Sequence, residues 1–125
     1  MDEDDAAGTV HVAAFDGDAV AAVGTAYAEA PPAEHRGEIP PAAFADGAAW
    51  RLRGMASSEV ARGRGFGHAV LDEVFAAARE AGASFLWCNA RLGAVAFYER
   101  HAMQTVGPEF DMPAIGPHYV MWRAL

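Results

Sequence analysis

Arg62-Gly63-Arg64-Gly65-Phe66-Gly67 is the stretch whose reading decides the fold. On its N-terminal side, Trp50 to Ala56 reads as a strand, with Trp50, Leu52, Gly54 and Ala56 on one face and Arg51, Arg53 and Met55 on the other. On its C-terminal side, Phe66, Val70, Val74, Ala77 and Ala81 fall on one helical stripe, widened by Leu71, Phe75 and Ala78, and Gly82 closes the helix. A glycine-rich link from a strand into a helix is a place where backbone amides are free to meet a ligand. The first N–H groups of a helix have no intrahelical partner and sit at the positive end of its dipole, so a diphosphate can collect several of them. Arg51, Arg53, Arg62 and Arg64 fall in this window with only Glu59 opposing them, and their guanidinium groups can add charge-assisted contacts.

Two familiar phosphate-binding patterns fail on spacing. A P-loop ends in Gly-Lys-Ser/Thr, and this chain contains no lysine. A dinucleotide fingerprint requires Gly-x-Gly-x-x-Gly, but counting from Gly63 the sixth position is His68.

Outward from the loop, the rest of the chain supplies a mixed sheet. Thr9 to Phe15 and Ala19 to Ala28 read as two strands joined by the turn signal Asp16-Gly17-Asp18. Residues 29 to 47, with Pro31-Pro32, Pro40-Pro41 and Asp46-Gly47, read as a long surface loop. Ser84 to Cys88 carries an apolar run suited to a strand covered on both faces, and a short helix follows from about Ala94 to His101. Gln104 to Val106 and Tyr119 to Trp122 read as closing strands, separated by a segment broken at Gly107, Pro108, Pro113, Gly116 and Pro117. The order β-β-loop-β-α-β-α-β-β is an α/β arrangement.

Composition narrows the function classes. With 125 residues and 53% hydrophobic content, the chain is expected to form one domain spanning 1–125. No apolar run approaches the roughly 18 residues of a membrane span, and the acidic opening Met1-Asp2-Glu3-Asp4-Asp5 is unlike a secretory leader, so a cytoplasmic location is expected. The net charge of −8 is uneven: residues 1–50 hold ten acids and one Arg, residues 51–125 seven acids and eight Arg. Anions should prefer the second part, while the overall acidity argues against nucleic acid as a partner. Cys88 is the one cysteine, which excludes a disulfide framework and a cysteine zinc cluster, and the histidines lack metal-ligand spacing, so no metal is expected.

Taken together, the motifs resemble a known family. Arg62-x-x-Gly65-x-Gly67, between strand and helix, is similar to the Arg/Gln-x-x-Gly-x-Gly/Ala signature of the GNAT acetyltransferases. Asn89-Ala90-Arg91, Ala94 and Phe97-Tyr98-Glu99-Arg100-His101 look like that family's second cofactor segment, and Gly116-Pro117-His118-Tyr119-Val120-Met121 is similar to the end of the ElaA-like subgroup. The resemblance covers roughly residues 8 to 125. It implies the GNAT fold, a mixed central sheet flanked by helices, here lacking the family's first strand and helices, which usually wall the acceptor site. Either the chain is a shortened form, or the 29–47 loop or a partner subunit supplies that wall. Ala102-Met103 stands where Gly-Phe is common, and reads as a packing change; Ser57 stands where a β-branched residue is usual.

The resemblance also implies roles. Acetyl-CoA would be the acyl donor and an amine the acceptor. Met55, Ala56 and Ser57 would offer backbone groups to the pantetheine arm and the thioester carbonyl, and Arg62, Gly63, Arg64, Gly65, Phe66 and Gly67 would cradle the pyrophosphate. Asn89 would sit where its strand splays away, and Tyr98 would protonate the departing thiolate. Physical chemistry asks for such groups independently, because attack on a thioester builds charge on the carbonyl oxygen and leaves a thiolate that wants a proton. For the base, Glu109, Asp111 and His118 lie in the irregular C-terminal segment, and an imidazole titrates nearest neutral pH, so His118 is the candidate, with an ordinary hydrogen-bonded histidine as the competing reading. Cys88 reads as a buried inert thiol, and Trp50, Trp87 and Trp122 as core. A non-catalytic acyl-CoA-binding module is the rival function, and a homodimer would be unsurprising.

Overall fold

A computed structural model describes residues 8–57 and 65–125. Six strands form one mixed sheet: β1 (Val10–Asp16), β2 (Ala19–Ala28), β3 (Ala49–Ser57), β4 (Phe85–Arg91), β5 (Gln104–Met112) and β6 (Gly116–Ala124), in the order β1-β2-β3-β4-β6-β5. Two helices complete it, α1 (Phe66–Glu80) between β3 and β4 and the short α2 (Val95–Glu99) between β4 and β5. Among the described strands only β3 and β4 are parallel neighbours, and α1 lies between them in the chain. This is the mixed α/β sheet that the sequence predicts.

The helix α1 lies on one face of the sheet and buries Val70, Leu71, Val74, Phe75 and Ala78. The buried stripe is centred on Leu71 and Val74, so Ala81, expected on it, is exposed. Gly24 of β2 allows the close approach: a Cβ there would stand 3.0 Å from Val70 Cγ1 and 3.3 Å from Val74 Cγ2. The same core takes in Trp50, Leu52, Leu86, Cys88, Tyr98 and Met121.

The second face carries a smaller core of Ile39, Ala43, Ala49, Trp87, Val106 and Val120. Ile39 and Ala43 come from the 29–47 segment, which is more than the surface loop expected. It forms two 3-10 turns, Ala33–His35 and Pro41–Phe44, and places those side chains at 1% and 0% exposure. Apolar anchors without a period of 2 or 3.6 leave no pattern in the sequence.

Two bulges correct the strand readings. Between the pairs Val23↔Ala56 and Thr25↔Arg53, Gly24 alone faces both Gly54 and Met55. Gly54 takes the extra residue at φ +72°, a conformation that favours glycine. An extra residue reverses the alternation, so Met55 joins Trp50 and Leu52 on the α1 face rather than opposing them. In β5, Gly107-Pro108-Glu109 is accommodated between the pairs Val106↔Val120 and Phe110↔His118, so β5 and β6 run on as a long hairpin where a broken segment was expected. Pro108 is tolerated because β5 is an edge strand and the ladder is already interrupted there.

Candidate active site

The parallel ladder between β3 and β4 has only three pairs, Ala49↔Phe85, Trp50↔Leu86 and Arg51↔Trp87. Beyond them β3 stays paired to β2 as far as Ser57↔Ala22, and β4 stays paired to β6 as far as Arg91↔His118. The two strands therefore part company, and the sheet opens as a wedge toward their carboxyl ends. Along the wedge, the facing backbone edges of β3 and β4 are not bonded to each other. An extended ligand inserted there would meet strand-like donors and acceptors on both sides.

A brace holds the closed end shut. Glu29 donates its N–H to Ala49 O (3.1 Å), accepts from Trp87 Nε1 at its carbonyl (2.8 Å), and pairs its carboxylate with Arg51 (3.1 Å). The Arg51 guanidinium lies 5.1 Å from the Trp87 ring centroid. One residue thus ties both strands at their last shared pair.

The open end meets the start of α1. Gly65 is the N-cap at φ +86°, with no side chain among the described residues capping the helix and no acidic residue in its first turn. Gly67 is pinned between strand and helix, since a Cβ there would stand 3.2 Å from Ser57 Oγ and 3.6 Å from the Phe97 ring. The N-terminal amides of α1 are thereby brought against the tip of β3. Phe66 is half-buried beside them. Arg62, Gly63 and Arg64 lie outside the described residues.

Tyr98, on α2, is 7% exposed and packs edge-on against Phe97, with ring centroids 5.2 Å apart. Burial, with the nearby Cys88 as a lesser cause, raises its phenol well above the ordinary range. Cys88 is buried on β4, and burial pushes its thiol up to about 12, which makes it the inert core thiol expected. Both belong to the α1-side core.

His118 is on the other face. It is 4% exposed, shares its side of β6 with Val120 and Trp122, and sits against Phe110 at 5.8 Å. Its Nδ1 lies 2.8 Å from Gly116 O. A carbonyl only accepts, so Nδ1 carries the hydrogen, which leaves Nε2 as the one ring nitrogen able to accept a proton. Asn89 sits two residues past the last β3–β4 pair, on the Trp87 side of β4, opposite Val120. Ala56 and Ser57 border a recess of about 260 Å³, shared with Val20, Ala21, Ala22 and Val23. The structure thus brings Met55, Ser57, Gly65, Gly67 and Asn89 to the wedge, and separates Tyr98 from His118 by the thickness of the sheet.

One cluster escaped the sequence reading. His68 Nδ1 lies 2.7 Å from His101 Nε2, and His101 Nδ1 lies 3.2 Å from Asp72 Oδ1. His68 and Asp72, four apart on α1, were legible as neighbours; His101, 33 residues further on, was not.

Comparison with known proteins agrees with this geometry. The family model described as Acetyltransferase (GNAT) family matches residues 1–103. The "Uncharacterized N-acetyltransferase YitI" of Bacillus subtilis (strain 168) is 35% identical over 80 residues, which cover 64% of this chain and 54% of YitI, about half of that protein's length. Escherichia coli ElaA shares the fold at a TM-score of 0.72 and 17% identity, over 98% of this chain and 74% of ElaA. An aminoglycoside 6'-N-acetyltransferase whose crystal structure is a complex with coenzyme A matches at a TM-score of 0.67 and 15% identity, over 94% of this chain and 73% of that one. Among the described residues no helix is long and apolar enough to cross a membrane. The sheet that opens beyond Arg51 and Trp87, the glycine-lined start of α1 and a family model matched over most of the chain lead to one assignment: this chain belongs to the GNAT acetyltransferase family.

Proposed function

We propose that the chain transfers an acetyl group from acetyl-CoA to a primary amine of a small molecule or peptide, by direct attack in a ternary complex. The observation that carries this reading is the wedge between β3 and β4, opening beside the uncapped start of α1 in a chain of this family. In this reading, residues 62–67 take the pyrophosphate on backbone amides, with Arg62 and Arg64 adding charge. The pantetheine arm lies in the wedge against Met55, Ala56 and Ser57 on one side and Asn89 on the other. The coenzyme A that the aminoglycoside acetyltransferase holds on the same fold supports a cofactor of this type.

The opposite placement of Tyr98 and His118 suits a division of labour. The acceptor approaches from the His118 face, and its ammonium gives one proton to His118 Nε2 or to water leading there. The amine nitrogen then attacks the thioester carbon, and backbone N–H groups at the end of β3 stabilise the oxyanion. As the tetrahedral intermediate collapses, the C–S bond breaks, and Tyr98 donates its proton to the departing sulfur. The second amine proton restores the phenol. Burial keeps Tyr98 protonated at any neutral working pH, and it disfavours a lasting tyrosinate, so this return is part of the cycle.

Release of free thiol from acetyl-CoA in the presence of a panel of primary amines tests the proposal. Amine-dependent thiol release with matching N-acetyl product is expected. Cofactor binding with no turnover on any amine would favour an acyl-CoA-binding module instead.

A further inference from the structure

We propose that Asp72, His101 and His68 form a hydrogen-bonded relay that holds the His68 imidazole at the cofactor's pyrophosphate, so that cofactor binding draws a proton onto His68. This rests on the cofactor reading above and adds a ligand and its regulation to it.

The chain of contacts fixes which nitrogen carries which hydrogen. A carboxylate only accepts, so His101 Nδ1 donates to Asp72 Oδ1 (3.2 Å). His101 Nε2 is then a lone pair, and at 2.7 Å it accepts from His68 Nδ1. His68 Nε2 is left facing outward from the relay, with no hydrogen-bond partner among the described residues. A further proton on the pair has one open place, His68 Nε2, where it turns an acceptor into a charged donor. The His101 side chain is 10% exposed, and burial, with His68 and Arg123 beside it, lowers its affinity for a proton despite Asp72. His101 is therefore disfavoured as the seat of an added proton.

Packing sets where that charge appears. His68 is the third residue of α1, in the turn whose amides have no capping side chain among the described residues. Its ring lies nearly parallel to that of His101 and meets it edge to edge (centroids 4.9 Å apart), and it leans on Phe97 (4.7 Å). Phe97 lies where a Gly67 side chain would contact it, and Gly67 abuts Ser57 at the tip of β3. His101 is held in turn by Phe75 (6.0 Å) and by Arg123 of β6, which donates to the His101 carbonyl (2.9 Å). Among the described residues, the charged groups facing the relay are thus Asp72 on α1 and Arg123 on β6, and the rings of Phe97 and Phe75 pack beside it. Among the described residues no group of three or more His, Cys, Asp or Glu is arranged to hold a metal ion, and here two ring nitrogens face each other across a shared hydrogen.

A cation at the start of a helix opposes the macrodipole, whereas an anion is favoured there. A bound diphosphate reverses the sign. It accepts from Nε2–H and screens the helix end, and proton and ligand then favour each other by the same factor. Asp72 and His101 are positioning residues, and His68 is the one that touches the ligand.

Calorimetric titration with 3′-dephospho-coenzyme A, which keeps the pyrophosphate and lacks the titrating phosphomonoester, tests this in two buffers of different ionisation enthalpy. The wild-type chain should take up a fraction of a proton near neutral pH, and its Kd should weaken about tenfold from pH 6 to pH 8.5, the scale of one charged hydrogen bond. His68→Gln should bind at all pH values with the weaker, alkaline affinity and lose the uptake. Asp72→Asn should reduce the uptake while the thermal midpoint of the free protein moves little. Equal proton uptake in wild type and His68→Gln, or none in either, would overturn the relay while leaving the cofactor reading intact. No binding by the wild-type chain at any pH would remove both.

Discussion

The two ends of the β3–β4 pair are built from the same strands and behave oppositely. At the lower end, Ala49–Arg51 and Phe85–Trp87 are hydrogen-bonded in parallel. Large side chains cover both faces there, with Trp50 and Leu86 under α1 and Trp87 under Ile39 and Ala43, and Glu29 laces the last pair together. At the upper end, Gly54 interrupts β3 with a bulge, Ala56 and Ser57 bring little bulk, and Asn89 is half-buried. The parallel ladder closes where apolar bulk supports it on both sides, and it opens where small residues leave the cross-strand contacts unfilled. The site is the failure of a sheet at a defined residue.

Truncating Trp87 should show the largest effect on this contrast. Trp87→Ala empties the second-face core at the lower end and leaves the Glu29 carbonyl and the Arg51 guanidinium without the indole. A loss of about 3–5 kcal/mol in urea unfolding is expected. A loss below about 1 kcal/mol would show that the lower end does not depend on this clamp.

Next in size is the upper end's own chemistry. Tyr98→Phe removes the hydroxyl and keeps the ring on Phe97, so cofactor affinity should hold while kcat falls roughly 10²-fold. An unchanged kcat would take the proton-donor role from Tyr98.

The smallest effect concerns how α2, which carries Tyr98, is finished. Both helices end in the same motif. After α1, Gly82 N–H bonds Arg79 O and Ala83 N–H bonds Ala78 O, each at 3.0 Å, with Gly82 at φ +97°. After α2, Ala102 N–H bonds Glu99 O (3.1 Å) and Met103 N–H bonds Tyr98 O (3.2 Å), with Ala102 at φ +63°. Ala102 was read as a packing change, but its position makes it a backbone one, because a Cβ is disfavoured at positive φ. Ala102→Gly should therefore stabilise the chain by roughly 0.5–1 kcal/mol, measured as a raised urea midpoint at constant slope. Destabilisation would mean that the greater freedom glycine gives the unfolded chain outweighs the relieved strain.

Much of this was legible in the sequence because it is local. The α1 stripe, the hairpin turn at Asp16-Gly17-Asp18 and the glycines 65 and 67 declare themselves by period or by conformational need. The wedge is not local. Where β3 and β4 separate depends on which of their residues find partners across the gap, and no single strand records that. The bulge at Gly54 is visible as a glycine but not as a reversal of Met55, and the burial of Ile39 depends on strands far along the chain. His101 meets His68 only because the α2 segment brings Phe97 and His101 against the first turn of α1. The separation of Tyr98 and His118 onto opposite faces likewise follows from the parity of β6, set by its pairing with β4.

The most direct test of the central claim, that the wedge is an acyl-CoA seat, is the thermal unfolding midpoint of the chain with and without acetyl-CoA, taken at low and at molar KCl. At a concentration 100 times its Kd, a ligand of the native state adds about 2.7 kcal/mol, so a rise of several degrees is predicted at one salt or both. An unmoved midpoint in a cooperatively folded sample at both salts would contradict the account.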